Sequence, residues 1–172
     1  MSFMIYPDNF NARHLHFGTM VQNTDAVYSK FSRIVYSTKN VSLNGVAIRM
    51  ELEGTQQDPH YNKVFVRFDP GHSANKQIVS QLCDIESDIL NNYDDSVVRS
   101  PRRCVNLLRN QLTSGCIKVY VNDRANGVNA NANANGIGIG IGIGSACQFM
   151  LKICGIWETN DEYGMTYKFI NC

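Results

Sequence analysis

The chain has 172 residues, 44% of them hydrophobic and 10% aromatic, with 16 Lys and Arg against 15 Asp and Glu and a formal net charge of +1. That length suits one domain with a proper core and is short for two. Near-neutrality argues weakly against a nucleic-acid binder, and a polynucleotide binder built from this chain must gather its cations on one face.

Residues 9–18, NFNARHLHFG, read as a lead-in strand anchored by Phe10, Leu15 and Phe17. His14 and His16 share one face of it, but the sequence places no third metal ligand. Residues 28–37 alternate Tyr, Phe, Ile, Val and Tyr with Lys30 and Arg33, as a strand does. Asn44-Gly45 is the strongest hairpin signal in the chain. It joins a strand ending near Leu43 to residues 46–52, where Val46, Ile48, Met50 and Leu52 face inward and Arg49 and Glu51 outward. A polar loop closed by Asp58-Pro59 follows.

Residues 63–68 form the next strand. Val64, Val66 and Phe68 take one face, and Lys63, Phe65 and Arg67 the other. A basic-aromatic-basic triplet suits single-strand binding, because a base stacks on any aromatic ring whatever its identity. The same pattern equally describes a strand whose second face is covered by a helix. After Asp69-Pro70-Gly71 the period changes to that of a helix, with Ile78, Leu82, Ile85 and Ile89 on one stripe. Ser73 is its expected N-cap and Asn91-Asn92 its end. Asp84, Glu86, Asp88, Asp94 and Asp95 lie on or just after it, which would keep negative charge away from a binding face on the other side of the sheet.

Ser100-Pro101 announces a second helix, with Pro at the first helical position, Cys104, Leu107, Leu108 and Leu112 as its apolar side and Gly115 as its stop. Arg99, Arg102, Arg103 and Arg109 make this segment the most basic, either as a solvated face or as phosphate contacts. Residues 117–121 are a strand with Lys118 and Tyr120 outward. Residues 122–145, NDRANGVNANANANGIGIGIGIGS, are low-complexity. Alternate glycines cost backbone entropy and pack nothing, so a long flexible loop is expected. An edge strand that promotes self-association is the other reading. Residues 146–170 close the chain as a hairpin: Phe149, Leu151, Ile153 and Trp157 alternate with Lys152 and Cys154, and Tyr163, Met165, Tyr167 and Phe169 with Gly164, Thr166, Lys168 and Ile170. Its aromatics serve either as core or as stacking platforms.

No stretch of about 18 apolar residues predicts a membrane helix, and the N-terminus has no basic, apolar leader. The six cysteines are scattered without C-x-x-C pairs, and the four histidines are not at zinc spacing. Free thiols, an intracellular setting and no metal or cofactor are expected. No Walker, G-x-S-x-G or H-E-x-x-H motif nominates a reaction, so the chain reads as a non-enzyme.

Gly155-Ile156-Trp157, a short polar turn and Gly164-Met165-Thr166-Tyr167-Lys168 resemble the closing strand pair of single-stranded-DNA-binding proteins of large DNA viruses and related phages. The opening NFNARHLHFG and the order of elements are similar too, and the close likeness covers about twenty residues of the chain. The resemblance implies a mainly β, α+β chain built as an OB-like barrel with a helical insertion and a C-terminal hairpin. It implies a sequence-tolerant binder of single-stranded DNA, or of RNA, in viral replication, recombination or repair, in the infected cell or virion. Self-association and other replication proteins are the further partners. Tyr120, Trp157 and Tyr167 would stack on bases. Arg33, Arg49, Lys63, Arg67, Lys118, Lys152 and Lys168, with Phe65 among them and Arg102 and Arg103 from the second helix, would meet the backbone. By alternation Trp157 and Tyr167 lie opposite Lys152 and Lys168. The two sets share a ligand only if a bulge at Gly155 or the curvature of the barrel brings them together. A viral assembly protein that self-associates through the Asn-Ala/Gly-Ile tract is the competing class.

Overall fold

The computed structural model describes residues 4–22, 29–56, 63–97, 101–120 and 146–171. After two single 3-10 turns (Pro7–Asn9 and Ala12–His14) come β1 (Leu15–Phe17), β2 (Val21–Gln22), β3 (Lys30–Ser37), β4 (Ser42–Asn44), β5 (Val46–Glu53), β6 (Thr55–Gln56) and β7 (Lys63–Arg67). Helix α1 (Ser73–Val97), β8 (Arg103–Val105), α2 (Leu107–Thr113), β9 (Cys116–Tyr120), β10 (Ala146–Glu158) and β11 (Glu162–Asn171) complete the chain. The low-complexity tract lies outside the described residues.

The strands form one sheet in the order β1-β3-β10-β11-β9-β7-β6, with β2 and β4 also paired to β3, β5 to β10 and β8 to β11. No described ladder joins β1 to β6. The expected OB-like barrel is therefore corrected to a mixed α+β fold, in which two helices pack on an open, branched sheet. Strand β10 explains the branching. Along one edge its residues 146–153 pair with β5 and its residues 155–158 with β3, while β11 runs along the other edge. A strand that changes neighbours part-way splits the sheet and breaks the continuous stagger that closure demands.

The final hairpin forms where the sequence places it, its turn closed by the Thr159 N–H donating to the Glu162 carbonyl at 2.8 Å. Four local expectations are overturned. Asn44-Gly45 is not a hairpin turn. Strand β4 pairs back on β3 through a turn in which the Thr38 N–H donates to the Val41 carbonyl, and β5 then leaves to pair with β10. Gly45 sits at that departure with φ of +81°, and a side chain there would overlap the Ile153 carbonyl.

The second helix does not begin at Pro101. Arg103–Val105 is drawn out as β8, in parallel register with Glu162–Gly164, and α2 starts at Leu107. Its start is set from a distance, by the buried Glu86 carboxylate of α1, which accepts from the Leu108 and Arg109 N–H groups at 2.8 Å each. Finally, α1 runs past Asn91-Asn92. Asn92 Nδ2 donates to the Ala12 carbonyl at 2.8 Å and Tyr93 is fully buried, so tertiary contacts carry the helix beyond its local stop signal. Ser73 is its first residue rather than its cap, and the His72 carbonyl accepts from the Asn75 and Lys76 N–H groups.

The core lies between α1 and one side of the sheet. Leu82, Ile85, Ile89 and Leu90 of α1 meet Ile48, Met50 and Leu52 of β5, the Phe149–Leu151–Ile153 row of β10 and Leu108 and Leu112 of α2, all of them buried. The expected stripes of β5, β7, β9 and α1 face inward, so the opposite residues of each strand are left on an outer face. Asp84, Asp88, Asp94 and Asp95 lie exposed on α1, across the core from that face. Cys83, Cys104, Cys116 and Cys154 are free thiols. No described helix is long and apolar enough to cross a membrane.

Candidate nucleic-acid interface

One extra residue decides the outer face. On β10, Ile153 pairs with Tyr167 and Gly155 with Thr166, leaving Cys154 with no cross-strand partner. This is a β-bulge, and everything beyond it changes face. Ile156 therefore turns inward and is fully buried, and Trp157, expected beside Phe149, Leu151 and Ile153, turns outward to the side of Lys152. Gly155 permits the close passage of β3: a side chain there would strike the Ser32 carbonyl and the Phe31 ring. Trp157 pairs with Gly164, and its indole lies over that glycine, within 3 Å of where a Cβ would stand.

The register then gathers the predicted residues. Phe65 pairs with Lys118 and Lys63 with Tyr120. Ile170 lies beside Tyr120 in the parallel pair, which puts Lys168 on the same side. Lys168 pairs with Lys152, Met150 with Arg49, and Gly155 with Arg33. Arg33, Arg49, Lys63, Phe65, Arg67, Lys118, Tyr120, Lys152, Trp157 and Lys168 thus share one side of the sheet. The carboxylates on that side stand at its margins. Glu51 accepts from Gln148 Nε2 at 2.8 Å, Glu53 lies 3.7 Å from His72, and Glu162 is paired with Arg103.

Tyr167 is on the other parity, beside Ile153, yet it reaches the same place. The described ladder of β11 to β8 ends at Gly164 and that to β9 begins at Phe169. Residues 165–168 therefore have no described strand neighbour on that edge, and α2 crosses the opening. The result is a groove of about 360 Å³ lined by Lys118, Tyr120, Trp157, Thr166, Tyr167 and Lys168, with Leu107 and Gln111 of α2 opposite. The Tyr167 hydroxyl donates to Gln111 Oε1 at 2.8 Å. The ammonium groups of Lys63 and Lys118 stand 5.8 and 5.4 Å from the centre of the Tyr120 ring. Cations held over an aromatic face in this way suit a ligand that is both flat and anionic.

Arg102 and Arg103 stand apart from the groove. Arg102 lies 2.5 Å from the buried Glu158 carboxylate, which also accepts from the Tyr93 hydroxyl at 2.5 Å. Burial, with the Glu158 hydrogen bond second, pushes the Tyr93 phenol well above its ordinary range, so it stays a donor. Arg103 is engaged with Glu162. His14 Nδ1 lies 3.2 Å from the Tyr36 hydroxyl, His16 is exposed, and no three metal-ligating side chains converge among the described residues.

Sequence reasoning missed Gln111, Leu107 and Tyr6. The Tyr6 ring is 55% exposed and lies under the Arg49 guanidinium at 5.9 Å, extending the outer face. It arrives there because Ile5 bridges in parallel to Ile48 of β5, a pairing that no local pattern encodes. No family model, curated protein or solved structure matches the chain.

Proposed function

We propose that this protein is a non-enzymatic, sequence-tolerant binder of single-stranded nucleic acid, DNA in the first place, carried on the outer face of its sheet. The observation that supports this reading best is the convergence of Lys118, Tyr120, Trp157, Tyr167 and Lys168 on one groove, although Tyr167 and Trp157 come from opposite parities of the hairpin. Rings at the groove supply stacking at about 1–3 kcal/mol per base. Lysines and arginines on the surrounding face neutralise phosphates, and the exposed acidic residues of α1 lie on the far side of the core. Uneven placement thus compensates for a net charge of only +1. A duplex, its bases already stacked and paired, offers no free ring to this groove. Fluorescence anisotropy with single-stranded DNA, RNA and duplex DNA tests the proposal. Single strands are expected to bind in a salt-dependent way and the duplex weakly. Equal affinity for duplex and single strand, or no binding to either, defeats it.

A further inference from the structure

Gln111 stands in the groove with only part of its amide available. The Tyr167 phenol donates to its Oε1 at 2.8 Å, and no described residue takes the hydrogens on Nε2. Burial, with the charge of Glu86 second, pushes the phenol above its ordinary range, so it keeps the proton it donates. A glutamine pairs with adenine through both ends of its amide, accepting from N6 and donating to the ring nitrogen. Here the oxygen already accepts from within the protein, and the Nε2 hydrogens are the wholly unengaged part of the amide among the described residues. Lys118, Lys168 and Thr166, all with hydrogens to donate, share the wall of the groove. Ligand cavities run from about 300 to 1,000 Å³, so a groove of about 360 Å³ takes one nucleoside rather than a stacked run.

We propose, building on the binding function above, that Gln111 and Tyr167 make this groove a one-base subsite that favours thymine and uracil over adenine. These pyrimidines present two carbonyl oxygens to a donor-rich wall, whereas adenine's N6 donor must share Gln111 Oε1 with the Tyr167 hydroxyl. Tyr167 acts here by holding the amide as well as by offering its ring.

The test is the ratio of affinities for dT and dA decamers, measured by anisotropy at one salt concentration on the full chain. Intrinsic differences in stacking between the two decamers cancel when ratios are compared across variants. In Gln111→Leu the preference for dT is expected to fall by about fivefold, the equivalent of one net hydrogen bond. Tyr167→Phe keeps the ring and removes only the hydroxyl. It removes the competing donor from Oε1, so affinity for dA should rise while that for dT holds. A dT-to-dA ratio unchanged in both variants, with circular dichroism as in the wild type, overturns the subsite. Binding to neither decamer by the wild type overturns the binding function itself, which is a different result.

Discussion

Replacing Lys118 and Lys168 together by Gln tests the charge argument directly. Seven cations lie on the outer face: Arg33, Arg49, Lys63, Arg67, Lys118, Lys152 and Lys168. For a single strand, each phosphate neutralised contributes about −0.7 to the slope of log affinity against log salt. Full engagement of the face then gives a slope of about −5, and loss of two contacts about −3.5. Between 50 and 200 mM salt the wild type should weaken by about a thousandfold and the variant by about a hundredfold. No described carboxylate pairs with either lysine, and Gln retains much of the stem, so the fold should be unaffected. An anisotropy series with a labelled dT oligomer reads both slopes. Identical slopes would mean that these ammonium groups meet no phosphate, and a slope near zero in the wild type would refute the cationic face altogether.

Trp157→Ala should weaken single-strand binding by about 1–3 kcal/mol. Because Trp157 is the chain's only tryptophan, quenching of intrinsic fluorescence on titration with DNA reads the same contact in the wild type, and unquenched emission at saturation would count against stacking there. Gly155→Ala forces a methyl against Ser32 and Phe31, and should lower stability in urea by about 1–3 kcal/mol. Tyr93→Phe strips the buried Glu158 carboxylate of a donor, a loss of about 1–3 kcal/mol in the same assay; an unchanged midpoint would remove the pair from the list of stabilising contacts. Burial, against the Arg109 and Leu108 N–H bonds, raises the pKa of Glu86. The folded state therefore holds that proton more tightly than the unfolded chain, and the contribution is greatest below the ordinary glutamate pKa and is lost as pH rises through the raised value. Relative to Glu86→Gln, wild-type melting temperature should climb as pH drops from 7 toward 5, and parallel profiles would show that the burial has no such effect.

Much of the chain's local structure follows from alternation and period. The inward rows of β5, β7 and β9, the apolar stripe of α1 and the terminal hairpin are all written in residues two, three or four apart. Burial of one side is the only arrangement those rows permit, so they are legible without any knowledge of neighbours. The lysines of the outer face, with Phe65 and Tyr120, are legible in the same way, as the complement of each inward row.

Which neighbour each strand chooses is not written locally. Asn44-Gly45 has the residues of a hairpin turn, but β5 finds a longer apolar partner in β10, and Gly45 serves the crossing instead. Ser100-Pro101 has the residues of a helix start, yet the backbone of Arg103–Val105 pairs with β11, and a carboxylate twenty-two positions back sets the start of α2. Trp157 faces the groove because the unpaired Cys154 shifts the count by one, between a β3 backbone that only glycine can pass and a β11 strand that keeps its own phase. Side-chain parity is local until a bulge interrupts it; where a bulge falls is decided by backbones arriving from elsewhere in the chain. The sequence alone thus determined which rings and charges the protein possesses and which rows it must bury. The tertiary structure decided that the sheet stays open and that seven of its cations, with the indole, come to lie on one side.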